Sequence, residues 1–185
     1  MELQKNVIRN SRMNLDEVYF WTDTIKDWKH LLKKDDYKML IIEQLQWLKS
    51  RNKIEVYAYV IMPNHLHLVW EMKEKNGKEL PHASFNKWTS SRFLADIRQN
   101  YPQLIPYFEE KTSERNHRFW QRDPLAVLMD SRAKVEQKIG YIHLNPLAER
   151  WNLVKNPTDY RWSSARYYET GVDEFKLVSH YMDKF

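Results

Sequence analysis

The stretch Val60-Ile61-Met62-Pro63-Asn64-His65-Leu66-His67-Leu68-Val69-Trp70 constrains this chain more than any other. Pro63-Asn64 marks a turn, and the residues after it alternate like a strand. Side chains alternate across a strand, so His65 and His67 emerge on one face while Leu66, Leu68 and Trp70 point to the other. In an extended chain their Cα atoms lie about 6.5 Å apart, near enough for two imidazoles to converge on one metal ion. The competing reading is a pair of idle histidines on a half-exposed strand. A His-x-His motif alone does not decide between the two.

The surrounding segments supply a framework. Val18-Tyr19-Phe20-Trp21-Thr22 is rich in β-formers and reads as a first strand, with Trp28, Leu31 and Leu32 in the connection that follows. Met39, Leu40, Ile42, Leu45 and Leu48 recur at helical spacing, predicting an amphipathic helix over 35–50. Residues 54–62 make a second strand leading into the turn. The charged run 73–81, with Gly77, reads as a loop, and a helix follows over about 84–99. That helix carries Lys87 and Arg92, which serve either as a solvated face or as DNA contacts. Residues 115–129 read as two short strands. Arg115 and Arg118 lie beside Phe119 and Trp120, a pattern that suits phosphate and base contacts or an ordinary arginine-rich edge.

The next helix is predicted over 131–145. Val135, Ile139 and Ile142 line the face that docks on the sheet. At 100° per residue, Lys134, Lys138, Tyr141 and Asn145 fall within about 60° of one another, on one stripe beside it. Pro146 disfavours helical geometry at Asn145, so the helix should end or kink there. The aromatic and basic tail 159–185 is expected to pack against the rest.

Composition bears on the partner. The 185 residues include only 3 Gly, with no linker-like stretch and no repeat, which suits one domain over 15–185 after a polar, loosely ordered segment 1–14. A net charge of +5 permits a nucleic-acid partner, and 14% aromatic residues mixed among basic ones suit unpaired bases better than duplex. The absence of cysteine removes disulfides, thiol catalysis and cysteine-metal clusters. No apolar leader and no membrane-length apolar run is present, so a soluble, cytoplasmic protein without a membrane partner is expected.

Four ordered stretches together resemble the single-tyrosine HUH transposases of the insertion-sequence-200 type, most closely their REP-associated tyrosine transposase branch. They are 61–70, Phe119-Trp120-Gln121, Tyr141-Ile142-His143-Leu144-Asn145-Pro146 and Tyr160-Arg161-Trp162-Ser163-Ser164. The resemblance implies an α+β fold, a ferredoxin-like antiparallel sheet with helices packed on it. It implies Tyr141 as nucleophile and His65, His67 and Asn145 as ligands of a divalent metal, Mg²⁺ or Mn²⁺, with Zn²⁺ left open. Its activity is cleavage and rejoining of single-stranded hairpin DNA through a 5′-phosphotyrosine. A homodimer is compatible with it. Lys134, Lys138, Arg115, Arg118, Lys87 and Arg92 are the cationic candidates for DNA contact. Two departures stand out: Leu147-Ala148-Glu149-Arg150-Trp151 replaces the commoner Val-x-Ala-Gly-Leu, and Arg122-Asp123-Pro124 replaces a frequent Asp-His. A metal-dependent hydrolase with a structural Tyr141, and a domesticated hairpin-binding protein that does not cut, remain as alternatives.

Overall fold

Strand pairing in this chain is dominated by aromatic and β-branched residues that fill both faces of one sheet. The computed structural model describes residues 12–110 and 116–185. Arg115 and residues 1–11 of the expected loose N-terminus lie outside them. Within the described part, Met13 is already buried in the core, and the Asn14 N–H donates to the Tyr19 hydroxyl at 3.1 Å.

Strand β1 (Val18–Thr24) leads to helix α1 (Asp35–Ser50), then β2 (Ile54–Ile61) and β3 (His65–Met72) form a hairpin. Helix α2 (Pro81–Asn100) and the short α3 (Ile105–Phe108) precede β4 (Leu125–Leu128), and α4 (Arg132–Leu144) and α5 (Ala165–Thr170) complete the chain. The sheet is antiparallel throughout with order β2-β3-β1-β4. That β-α-β-β-α-β succession is the ferredoxin-like arrangement, so the α+β, single-domain expectation holds. Among the described residues, no helix is long and apolar enough to cross a membrane.

The two faces of the sheet are covered by different helices. On one, Trp21 stacks on Trp70 with ring centroids 4.9 Å apart and meets Phe85 of α2 edge-on at 5.9 Å. On the other, α4 turns Val135, Ile139 and Ile142 inward, onto the face that carries Phe20, His65 and His67. Strand β3 is therefore central and covered twice, and all eight of its residues are buried. The half-exposed strand of the competing reading is excluded. Burial on both faces explains why this strand tolerates so few polar groups.

The tail seals the outer edge of β2. The Ile61 N–H donates to the Trp162 carbonyl at 2.9 Å, and the Ser164 N–H donates to the Tyr59 carbonyl at 3.0 Å. Trp162, Phe175 and Leu177 are buried beside it. Backbone groups that would otherwise form an open edge are thus satisfied.

One expectation needs correction. Only one strand forms over 116–129: residues 117 and 120 make isolated bridges, to Glu109 and Ile25 respectively. Phe119 and Trp120 are both buried, so the segment wedges into the core without the in-out alternation of a strand. Helix α4 ends at Leu144, as expected at the Asn145-Pro146 step, although Asn145 itself keeps right-handed helical geometry (φ −56°, ψ −42°). The chain tightens there into a 3-10 turn, Asn145–Leu147, and burial of Asn145 against the sheet outweighs the local preference.

Candidate active site

The site forms where the start of β3, the middle of β1 and the C-terminal end of α4 meet. Strand register places Thr22 opposite His67 and Thr24 opposite His65. The two imidazoles lie at ring-centroid separation 4.6 Å and at 70° to each other. Phe20 stacks on His67 at 5.2 Å, and the Tyr141 ring meets His67 at 5.3 Å. From the same helix, Asn145 Nδ2 lies 3.3 Å from His67 Nε2.

Each histidine has one nitrogen engaged from behind. His65 Nδ1 lies 2.6 Å from Asn64 Oδ1, and His67 Nδ1 lies 2.7 Å from Thr22 Oγ1. An amide oxygen can only accept, so His65 carries its proton on Nδ1 and leaves an Nε2 lone pair free. Asn145 Nδ2 can only donate, so His67 Nε2 accepts and its Nδ1 donates to Thr22. Both rings are then fixed in one tautomer by outer partners, the arrangement that orients metal-binding histidines.

Electrostatics favour the neutral rings. Burial lowers the pKa of His65 to about 4, with a further contribution from Arg150. His67 lies well below the ordinary histidine value, chiefly through burial, and also through His65, Lys138 and Arg150. Neutral imidazole is the form that coordinates a cation.

The donor set fits a divalent ion. Asn145 Oδ1 is buried without a hydrogen-bond partner, an unsatisfied acceptor beside the two imidazoles. Half a turn of that amide would present oxygen in place of the Nδ2 that now caps His67. Among the described residues, no group of three or more His, Cys, Asp or Glu side chains could hold a metal. An ion here would therefore have two imidazoles and one amide, with the rest of its shell from water and substrate.

Tyr141 is 45% exposed, its ring against His67 and Phe20. Lys138 Nζ sits 4.6 Å from the Phe20 ring centroid and 5.5 Å from that of Tyr141. Lys134, one turn earlier, is ion-paired with Asp130 at 2.7 Å. Four residues from the sequence reading, His65, His67, Tyr141 and Asn145, thus come together, with Lys138 on their flank.

The other cationic candidates lie elsewhere. Lys87 and Arg92 are on α2, which covers the opposite face of the sheet. Lys87 pairs with Glu79 at 3.0 Å, and Arg92 lies over Trp88 at 5.1 Å in a groove with Trp47. Arg118 is ion-paired with Glu110 at 3.3 Å. Several contributors escaped the sequence reading. Thr22 and Phe20 are named only by strand register. Trp151 packs 5.8 Å from His65 and comes from the divergent segment after Pro146. Asn64 was visible, since it sits directly before His65, but its turn role hid its second one.

Neither a family model nor a curated protein matches this sequence. Among solved structures, one described as a REP-associated tyrosine transposase bound to a REP hairpin is similar. It shares 17% identity with this chain at a TM-score of 0.59, over 91% of this chain and 90% of that one. At that identity the likeness is one of fold, and it extends over nearly the whole chain.

Proposed function

We propose that this chain is a single-tyrosine HUH transposase of the REP-associated kind, which cleaves and rejoins single-stranded DNA carrying a hairpin. The observation that carries the reading is the placement of an exposed tyrosine against two buried, neutral, oriented imidazoles and an unsatisfied amide oxygen. The solved transposase of like fold was bound to a REP hairpin, which supports hairpin DNA as the substrate class.

His65, His67 and Asn145 would hold the divalent ion. When bound, that ion supplies Lewis acidity to a non-bridging phosphate oxygen. Tyr141 attacks the phosphorus, a bond forms from its hydroxyl oxygen, and the bond to the 3′ oxygen breaks. The phenolic proton is lost and the departing oxygen gains one, leaving a 5′-phosphotyrosine and a free 3′-OH. The covalent link conserves the phosphodiester, so attack by a 3′-OH rejoins strands without ATP. Packing of Tyr141 between Phe20 and His67 restricts the phenol, which favours in-line attack.

Incubation with hairpin oligonucleotides and Mn²⁺ should give a denaturant-stable protein–DNA adduct. Tyr141→Phe should abolish it and leave hairpin affinity within about twofold. An adduct persisting in Tyr141→Phe would move the nucleophile elsewhere. Hydrolysis without an adduct would instead favour a metal-dependent hydrolase.

A further inference from the structure

The connection after β1 does something a structural turn would avoid. Asp27 and Trp28 both adopt positive φ, 55° and 53°, and neither is glycine. For a bulky aromatic residue this is an outlier, and such conformations persist only where the surroundings over-determine them. The Trp28 indole is nevertheless 66% exposed, so no burial of its own holds it there.

The backbone is held instead. Asn64 Nδ2 donates to the Trp28 carbonyl at 3.1 Å, and the Ile25 N–H donates to the Asn64 carbonyl at 2.8 Å. The same Asn64 accepts from His65 through Oδ1. One amide therefore ties the loop that displays Trp28 to the tautomer of His65. Two residues on, His30 lies 5.7 Å from the Trp151 ring, which itself packs 5.8 Å from His65. Tyr107 is a second exposed aromatic, with Lys29 Nζ 5.6 Å from its ring centroid.

We infer that Trp28 is a stacking platform for an unpaired base of single-stranded DNA, in the stretch next to the phosphate held at the histidine pair. An exposed indole supplies the π-face that an unpaired base needs, while the nearby Lys29 ammonium is shared between the Tyr107 ring and Asp27, to which it is paired at 3.2 Å. Holding the residue through its backbone leaves its side chain largely exposed, which a buried anchor would not. The inference rests on the proposed strand-cleaving function, because it is that reading which brings DNA to His65.

The test uses hairpin oligonucleotides with a single-stranded flank, in which 2-aminopurine replaces one flank base at a time. Wild-type protein should quench the probe at one or two adjacent positions. Trp28→Ala should abolish that position-specific quenching and weaken flank-dependent affinity about tenfold. Trp28→Phe should retain most of both, and blunt duplex should bind all three proteins alike. An unchanged thermal midpoint checks that the exposed site has not disturbed the fold. Wild-type quenching and affinity in Trp28→Ala, alongside normal adduct formation, overturns the platform and leaves the transposase reading standing. Trp28-dependent quenching without any adduct upholds the platform and removes the transposase reading. A wild type that binds no single-stranded flank overturns both.

Discussion

At the scale of single residues, the candidate site depends on groups that never touch a substrate. Asn64 sets the tautomer of His65 and Thr22 holds Nδ1 of His67, each through one hydrogen bond to a ring nitrogen. Outer partners of this kind typically contribute 10–100-fold in metal affinity when removed. Thr22→Val keeps the shape and β-branching but deletes the hydroxyl. We expect it to weaken Mn²⁺ binding by roughly tenfold, read by calorimetry, with the fold intact. Affinity equal to wild type would mean that the Thr22 contact is incidental. The histidine pair was legible in the sequence because period-two alternation is a local rule. Thr22 was not, because strand register depends on pairing 45 residues away. The half-exposed placement of the strand failed for a related reason: nothing local shows that β3 is the central strand, covered on both faces.

At the scale of elements, α4 works as a ruler laid across the sheet. Its buried face, Val135, Ile139 and Ile142, fixes the angle at which Tyr141 and Asn145 reach His67. This was readable from 3.6-residue periodicity, as was α1, whereas the β2–β3 turn was readable from Pro63-Asn64. The segment 116–124 was not, since its apolar residues serve a core wedge and follow no period. The Ser131 hydroxyl caps the start of α4, and Lys134 in that first turn is paired with Asp130. Lys138, in contrast, lies over the Phe20 and Tyr141 rings beside the histidines. A cation there can hold the phosphate next to the scissile one and position the strand. Lys138→Ala should therefore slow single-turnover cleavage about tenfold or more while changing DNA affinity less than threefold. Lys134→Ala should do the reverse, weakening binding with little effect on the rate. Wild-type rates in Lys138→Ala would reduce the stripe to a solvated face.

At the scale of the whole molecule, the buried titratable groups set an unusual pH response. His65 is buried and His143 half-buried, and desolvation lowers both pKa values to about 4, against an ordinary value near 6.5. As pH falls below 6.5 the unfolded chain protonates these rings and the folded one does not, so stability is lost between about 6.5 and 4. Asp23 acts in the opposite sense. It is buried on the face away from the histidines, accepts from Asn86 Nδ2 at 2.7 Å and from the Thr24 N–H at 2.9 Å, and burial raises its pKa to about 7. Its contribution is fully present below the ordinary carboxyl value near 4 and is lost as pH rises through 7. Over pH 5–7 the Asp23 trend offsets only part of the histidine loss in the wild type, because His67 is shifted in the same direction as His65 and His143. Asp23→Asn removes that offset, and its new amide can donate to Asn86 Oδ1 once the Asn86 amide turns over. In metal-free buffer, the melting temperature of Asp23→Asn should fall more steeply from pH 7 to pH 5 than that of the wild type. At pH 8 the variant should be the more stable by about 1 kcal/mol, or roughly 3 °C in a chain of this size. Parallel pH curves for the two proteins would show that Asp23 does not titrate within the folded state in this range, and that the histidines alone set the acid limb.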